Sequence, residues 1–213
     1  MSHPVYPLQM IQPEQWKAAE SSWLSWDAYL SEKLVQHCNE HFPCLPFFKF
    51  LCEADLVKYF FYILIAGFLW FSCKLLEKKG KLFLIASLII VSSLGDVFSN
   101  LIKNITIRLR PEQSLESFHA TTVKYSFSFP SNHAFNLFAL STALWIFHKR
   151  NHSRNPYLHR FCLLLAVFVS LGRVLMGRHY PSDVLAGWLL GTLFGACAIN
   201  LCLHLGERYK LIK

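Results

Sequence analysis

Charged residues are scarce in this sequence. Asp, Glu, Lys and Arg make up only 16% of its 213 residues, against roughly 25% in a typical soluble domain. Hydrophobic residues make up 54%, and the mean hydropathy is +0.32. A soluble domain of this length has no core that could bury so much apolar surface. The composition therefore excludes an ordinary soluble protein and indicates a membrane protein.

Targeting and metal-binding signatures are also missing. The first residues, MSHPVYPLQMIQPEQW, lack the basic stretch followed by an apolar stretch that defines a signal peptide. The seven cysteines show no CxxC or other metal-ligand spacing, and no internal repeat or low-complexity segment occurs. We therefore expect no signal peptide, and we interpret the cysteines within apolar stretches as small packing groups.

Apolar windows of about 20 residues, the length that crosses a bilayer, occur five times. They cover residues 56–76, 82–102, 133–148 with its flanks, 158–177 and 183–205. The sequence therefore predicts an all-α, polytopic membrane helix bundle with about five transmembrane helices. We assign this transmembrane domain to residues 56–213 and treat residues 1–55 as a separate N-terminal helical segment.

The N-terminal segment contains one amphipathic pattern. Trp23, Trp26, Leu30 and Leu34 fall on one helical stripe. This pattern fits a helix that lies in the membrane interface, and it fits equally well a helix that packs on the bundle. In either case the polar residues are expected elsewhere on the helix surface: Asp27, Glu32, Lys33 and Gln36.

Basic residues cluster at the ends of the predicted spans. The net charge of +8 would suggest nucleic-acid binding in a soluble protein, but the positive-inside rule explains it here, so we expect no nucleic-acid partner. Eleven of the 21 basic residues fall on one face, which we assign to the cytoplasm: Lys74, Lys78, Lys79, Lys81, Lys149, Arg150, Arg154, Arg160, Arg208, Lys210 and Lys213. The N-terminal segment and the Gly177–Asp183 corner then lie on the outer face.

Three stretches carry polar residues that hydrophobicity does not explain, and all three fall on the predicted outer face. The first is KNITIRLRP. Lys103 and Arg110 are seven residues apart, which is two helical turns, so we predict that they share one face of a helix that Pro111 ends. Taken alone, these two residues also fit snorkelling cations at the interface.

The second stretch is FPSNHAF, in which Pro130, Ser131 and Asn132 form a turn that leads into a helix. The start of a helix offers free backbone N–H groups and a partial positive charge, so it can bind an anion. His133 in the first turn faces the same place. Taken alone, Ser131 fits a simple N-cap and His133 a surface histidine.

The third stretch, GRVLMGRHYPSD, spaces Arg173, His179 and Asp183 as R-x5-H-x3-D. If the chain turns at Tyr180 and Pro181, Asp183 begins the last span and can reach the His179 ring. A carboxylate on one ring nitrogen fixes the tautomer and leaves the other nitrogen free to attack, although such a pair can also be purely structural. The three stretches together supply cations, N–H donors, a nucleophile and an acid, the set that phosphoryl transfer needs.

The order K-x6-R-P, P-S-x-H and R-x5-H-x3-D resembles the three-part signature of the phosphatidic acid phosphatase type 2 superfamily, the membrane lipid phosphate phosphatases. The similarity covers roughly residues 56–205, and residues 1–55 carry no part of it. The resemblance implies that His179 is a nucleophile that forms a phosphohistidine, that Asp183 orients it, and that His133 protonates the leaving oxygen. It also implies that the phosphoryl group is bound by Lys103, Arg110, Ser131, the backbone around Asn132, and Arg173.

The resemblance implies neither a metal nor another cofactor, in agreement with the lack of a carboxylate cluster suited to magnesium. Two positions depart from the family pattern. Asn132 stands where glycine is usual, and Gly172 where serine is usual, which puts the phosphate geometry and the substrate preference in doubt but not the reaction class. Arg178 fits either a contact to a second phosphate or lipid headgroup, or a place at the interface.

Compact bacterial members with this pattern often act on polyprenyl diphosphates, so undecaprenyl diphosphate is the first expected substrate. Lipid A, phosphatidylglycerophosphate and phosphatidate are the alternatives. The expected location is the bacterial inner membrane, with the site on the periplasmic face. A lipid phosphotransferase would use the same residues. A transporter would place its charges near the midplane, and an inactive lipid-binding relative would lack the nucleophile or the acid. The oligomeric state is not readable from the sequence.

Two other features have structural interpretations. Gly187, Gly191 and Gly195 form a G-x3-G-x3-G ridge, which predicts close packing against another helix. Asp96 lies within the predicted second span, and we expect it to make a buried hydrogen bond between helices rather than to take part in catalysis.

Overall fold

The computed structural model describes residues 25–41, 78–114, 127–150 and 157–209. All regular secondary structure in these ranges is helical, which confirms the all-α class. The helices are α1 (Ser25–His41), α2 (Lys78–Thr106), α3 (Pro111–Ser114), α4 (Asn132–Arg150), α5 (Tyr157–Leu175) and α6 (Pro181–Arg208).

Four of the five predicted spans correspond to α2, α4, α5 and α6. The predicted span 56–76 and the domain boundary at residue 55 lie outside the described residues, as does Trp23. The count of five spans and the division of the chain into two parts therefore stay predictions.

The long helices have dimensions suited to a bilayer. With 29 and 28 residues, α2 and α6 are about 42–44 Å long, and the 19 residues of α4 and of α5 extend about 28 Å. Two stretches, Leu82–Thr106 and Pro181–Arg208, are long and apolar enough to cross a membrane. Their outward faces expose large apolar side chains, among them Ile89, Val97, Ile105, Leu189 and Leu193, which lipid accommodates and water does not.

Helix α4 is the centre of the bundle and packs against α6, α5 and α2. It meets α6 at the glycine ridge. A Cβ added at Gly191 would overlap the carbonyl oxygen of Phe135, one added at Gly195 would overlap that of Ala139, and Gly187 is similarly crowded. The predicted close packing of Gly187, Gly191 and Gly195 is therefore confirmed, because only glycine lets the two backbones approach this closely.

A polar pair links α2 to α4 within the bundle. Asn136 donates its side-chain N–H to a carboxylate oxygen of Asp96. The expectation that Asp96 makes a helix-to-helix hydrogen bond is confirmed. Such a bond contributes about 0.6–2 kcal/mol in a membrane bundle.

Helix α1 packs on the bundle, where it contacts α3, α5 and α6. Its buried face consists of Asp27, Ser31, Val35 and Cys38, whose spacing follows the helical period. The sequence left open whether this helix packs on the bundle, and the structure shows that it does.

The face of α1 that packs differs in part from the predicted one, since Leu34 of the apolar stripe packs against the core but other members of the stripe do not. Trp26 and Leu30 of the apolar stripe are 45% and 38% exposed, whereas Asp27, expected on the polar surface, is only 1% exposed. That expectation for Asp27 is wrong. The physical reason is an ion pair with Arg108, which offsets the cost of removing the carboxylate from water.

The described connections meet at one end of the bundle, where α2 and α5 end and α4 and α6 begin. Backbone hydrogen bonds join them: Ser128 N–H to Arg108 O at 2.7 Å, Ser131 N–H to Asp183 O at 3.1 Å, and Glu112 N–H to Gly177 O at 3.2 Å. These bonds bring the three polar stretches of the sequence together.

Candidate active site

The end of α2 differs from the sequence prediction. The helix ends at Thr106, and Ile107 has a φ of +48°, a conformation that is rare for a β-branched residue. Pro111 then begins α3 instead of ending α2. The prediction that Lys103 and Arg110 share one helix face is therefore wrong. The turn at Ile107 nevertheless carries Arg110 back towards the bundle end.

Lys103, in the last turn of α2, points into the bundle end. Its Nζ donates hydrogen bonds to the carbonyl oxygens of Phe127 at 2.7 Å and Ser128 at 3.2 Å. The residue is only 7% exposed, so the alternative of a cation snorkelling into the interface does not hold.

Ser128 is a central residue that the sequence did not single out. Its carbonyl oxygen accepts a hydrogen bond from Lys103 and lies 3.0 Å from Nδ1 of His179, while its hydroxyl donates to Asp183. The residue is fully buried. A serine in a loop carries no sequence signal of this kind.

The orientation of the His179 ring comes mainly from Ser128. Because a carbonyl oxygen can only accept, Nδ1 carries the proton in the neutral ring and Nε2 keeps its lone pair. The nearest carboxylate oxygen of Asp183 lies 3.6 Å from Nδ1, beyond hydrogen-bond distance. The expectation that Asp183 itself holds the ring is corrected in this respect: Asp183 is adjacent, and the backbone carbonyl is the acceptor.

Cations surround His179. Burial lowers the pKa of the His179 imidazole well below its usual value, and the positive charges of Arg110, Lys103 and Arg173 lower this pKa further, against a smaller opposing effect of the hydrogen bond to Ser128. The ring is therefore neutral at neutral pH. The three predicted phosphate-binding cations therefore all act on the charge of this one imidazole.

Arg173 lies in the last turn of α5 and is 6% exposed. Its backbone carbonyl accepts hydrogen bonds from the N–H groups of Arg178 at 3.0 Å and His179 at 3.3 Å. Gly177 has a φ of +68°, which glycine adopts without a steric penalty. This tight turn places Arg173 and His179 side by side.

The PSNH turn leads into α4 as predicted, with Ser131 directly before the helix and Asn132 and His133 in its first turn. Ser131 is fully buried, and its hydroxyl makes no hydrogen bond with any of the described residues. It therefore does not act as a side-chain N-cap. Asn132 donates to Asn100 at 2.9 Å, while its own carbonyl oxygen is buried without a hydrogen bond in the described part of the chain. His133 is half-buried.

The Asp183 carboxylate is held by a partner that the sequence analysis missed. Arg108 donates to Oδ1 at 2.6 Å, and Oδ2 accepts the Tyr180 N–H at 2.9 Å as well as the Ser128 hydroxyl. The Arg108 guanidinium also lies over the Tyr180 ring at 3.9 Å and bonds to Asp27. The RLR pattern contains Arg108, but nothing in the sequence indicates which carboxylates it meets.

Arg178 forms an ion pair. Its guanidinium donates to both carboxylate oxygens of Glu112 at 2.8 Å, and the same carboxylate lies 3.9 Å from Arg110. Glu112 therefore links the predicted headgroup contact to a predicted phosphate ligand. The sequence did not indicate Glu112 as a partner of Arg178.

The arrangement suits an oxyanion better than a metal cation. Lys103, Arg110 and Arg173 all act on His179, and within the described ranges no group of three or more His, Cys, Asp or Glu side chains is placed to hold a metal ion. Preorganised cations and N–H donors around a neutral imidazole can stabilise a transferring phosphoryl group.

Comparisons with known proteins show the family of this chain. The model of the PAP2 superfamily matches residues 80–205, more than half of the chain. The chain is 27% identical over 141 residues to the bacitracin transport permease protein BcrC of Bacillus licheniformis, covering 65% of this chain and 64% of that protein. It is 28% identical over 125 residues to an undecaprenyl-diphosphatase of Sulfolobus acidocaldarius, covering 58% of this chain and 56% of that one. The chain thus spans less than two thirds of these two relatives. Other matching relatives are named lipid A phosphatases.

A solved structure shares the fold. The transmembrane PAP2-type phosphatidylglycerolphosphate phosphatase from Bacillus subtilis superposes with a TM-score of 0.58 at 22% identity, and the match covers 89% of this chain and 90% of that one. At this identity the likeness concerns the fold, and it supports a transmembrane helix bundle.

Proposed function

This chain belongs to the PAP2 superfamily, and from this premise we propose that it is an integral-membrane lipid phosphatase that works through a phosphohistidine. The observation that carries the proposal is the surrounding of His179. The ring is buried and neutral, its Nδ1 faces the Ser128 carbonyl at 3.0 Å, and the charges of three cations act on it. This leaves Nε2 as the nucleophile.

The reaction takes two steps at one phosphorus atom. The Nε2 lone pair of His179 attacks phosphorus, the bond to the lipid oxygen breaks, and His133 gives its proton to that oxygen. Water then attacks the phosphohistidine, His133 takes a proton from the water, and inorganic phosphate leaves. The second step breaks the bond between Nε2 and phosphorus, and the two steps together return both histidines to their starting protonation.

Unsatisfied donors at the site support phosphate binding. Among the described residues, two of the three ammonium N–H groups of Lys103 meet carbonyl oxygens, and the third can serve a phosphoryl oxygen. The buried hydroxyl of Ser131 makes no bond within the described residues, a state that costs about 1–3 kcal/mol. A bound phosphoryl group would satisfy both, with Arg110, Arg173 and the backbone around Asn132 completing its surroundings.

The location of the site supports a lipid substrate. The residues lie where α2 and α5 end and α4 and α6 begin, so a headgroup can reach them while its tail stays among lipids. A transporter would hold its charges near the midplane, which these residues do not occupy, although one relative is named a transport permease. By the positive-inside rule we assign the site to the periplasmic face of a bacterial inner membrane.

Undecaprenyl diphosphate is the substrate that we propose first, because one relative is an undecaprenyl-diphosphatase. Lipid A, phosphatidylglycerophosphate and phosphatidate are the alternatives. Arg178, which pairs with Glu112 beside Arg110, is a further cation near the site, which fits a headgroup with two adjacent phosphates.

The test is phosphate release by the purified full-length protein in detergent with EDTA. We would offer the four lipids separately, with His179→Ala as the inactive control. We expect release from at least one lipid and none from the variant, and a 32P-labelled substrate should label the protein in an acid-labile, alkali-stable bond. Release that survives His179→Ala, or no release from any lipid, would contradict the proposal. Transfer of the label to another lipid would identify a phosphotransferase.

A further inference from the structure

Asp27 reaches the site from outside the matched region. It lies in the first turn of α1, far before residues 80–205 that match the family model. Its carboxylate accepts hydrogen bonds from Arg108 at 2.7 Å, from the Ser182 N–H at 3.1 Å and from the Ser182 hydroxyl. Asp27 is only 1% exposed, and both of its carboxylate oxygens accept hydrogen bonds. Buried carboxylates with such partners are a feature of functional sites in membrane proteins.

Arg108 connects Asp27 to Asp183. One terminal nitrogen of its guanidinium bonds to Asp27 and the other to Asp183 at 2.6 Å. The plane of the guanidinium is fixed by the Tyr180 ring below it at 3.9 Å. Since the guanidinium is rigid and planar, fixing one end at Asp27 fixes the direction from which the other end meets Asp183.

Ser182 gives Asp27 a second route to the same place. The Ser182 N–H belongs to the first turn of α6, where backbone N–H groups have no partner within the helix. An anionic oxygen there also interacts favourably with the helix dipole. Asp27, in α1, therefore binds the first turn of α6. The residue that it binds there, Ser182, is next to Asp183 and three residues after His179.

We propose that Asp27 is a positioning residue for the active site, so that α1 completes a catalytic centre whose reacting groups all come later in the chain. The proposal rests on the proposed function in taking His179 as the nucleophile. Asp27 acts through Arg108 and Ser182 on Asp183, which bonds to the Ser128 hydroxyl. The carbonyl of that same Ser128 faces the His179 ring.

The loss of this carboxylate has a specific consequence. Without Asp27, the Arg108 guanidinium keeps only one carboxylate, Asp183, and moves towards it. Asp183 and Ser128 then shift relative to His179. A displacement of this kind affects the rate of phosphoryl transfer more than the affinity for substrate, because the attack geometry changes while the phosphate-binding cations stay in place.

The experiment compares Asp27→Asn with Glu40→Gln, which makes the same change of charge on an exposed residue of the same helix. We expect Asp27→Asn to lower kcat roughly 10- to 100-fold with KM within about two-fold, and Glu40→Gln to change neither. Asp27→Glu keeps the charge and should retain more of kcat than Asp27→Asn. Ser182→Ala is a milder second variant, expected to change kcat in the same direction, in case Asp27→Asn does not fold.

A second readout does not depend on turnover. In the full-length protein with 15N-labelled histidine, the His179 imidazole resonances, assigned by their loss in His179→Gln, should move in Asp27→Asn and stay in Glu40→Gln. Unmoved resonances together with unchanged kcat would overturn the proposal, and so would a raised KM at unchanged kcat. If the wild type released no phosphate from any lipid, the proposed function would fail, while the resonances would still decide whether Asp27 positions His179.

Discussion

In the middle of the bundle, α4 and α6 touch backbone to backbone at Gly191 and Gly195, whereas at the active-site end they are joined through buried charges and hydrogen bonds. The middle is held by close packing of small and apolar groups. The active-site end depends on the network of Asp27, Arg108 and Asp183. A packed interface tolerates polar changes at its rim but not added volume, while a charge network tolerates small changes of volume but not the loss of one partner.

The largest expected effect breaks the packed middle. Gly191→Ala places a Cβ on the carbonyl oxygen of Phe135, and because backbone must move to accept it, we expect a loss of about 3 kcal/mol of stability. This corresponds to a fall of roughly 6–12 °C in Tm, measurable by thermal unfolding in detergent. Leu189→Ala is the matched control, since its side chain on the same helix is 63% exposed and should change Tm by only a few degrees. An equal fall in both variants would show that the glycine contact is not what holds the middle.

The next effect breaks the active-site end and leaves the middle intact. We expect Asp183→Asn to lower kcat about 100-fold, and also to lower Tm, because it removes one carboxylate partner of the buried Arg108 guanidinium. The loss of kcat is less than the ~10⁴-fold loss seen when a carboxylate sets the tautomer of a catalytic histidine, because here the Ser128 carbonyl faces Nδ1. Steady-state phosphate release measures the loss. A fall of 10⁴-fold or more would mean that Asp183, and not Ser128, fixes the ring.

A third prediction concerns the effect of Arg110 on the pKa of His179 at the active-site end. The pKa of His179 is lowered first by burial and then by Arg110, so the ring stays neutral and able to attack until the pH falls well below its usual pKa. Removing a positive charge favours the protonated ring, so Arg110→Gln should raise the pKa of His179. The imidazole should then become protonated at a higher pH than in the wild type. An NMR titration of 15N-labelled histidine measures this directly. A titration that does not move, or moves to lower pH, would contradict the proposed closeness of Arg110 and His179.

The sequence was informative where structure follows periodicity. Helices α2, α4, α5 and α6 begin and end within a few residues of the predicted spans, and the glycine ridge and the bond of Asp96 were predicted correctly. These features repeat at helical spacing or stand out as a charge in an apolar run, so that a single sequence is enough to find them.

The sequence failed where contacts join distant residues. Arg108 meets Asp27 across 81 residues and Asp183 across 75, and no local pattern encodes such partners. The predicted end of α2 was wrong for a related reason. Neither Thr106 nor Ile107 is a glycine or a proline, so the first residue that indicated the end of the helix was Pro111. The roles of His179, His133 and the phosphate-binding residues stay predictions until the variants are measured.

The smallest expected effect concerns the edge of the network, where Glu112 pairs with Arg178 at 2.8 Å and lies 3.9 Å from Arg110. Glu112→Gln removes a negative charge from beside two cations that a headgroup with two phosphates would approach. Since partly exposed ion pairs contribute about 1 kcal/mol or less, we expect KM for a lipid diphosphate to fall by only a few-fold, with kcat unchanged. A lipid monophosphate, which reaches only the inner cations, should show a smaller change, and salt should reduce the difference. An equal change in KM for both lipids would mean that Glu112 supports the whole site, and that it belongs to the same charge network as Asp27, Arg108 and Asp183.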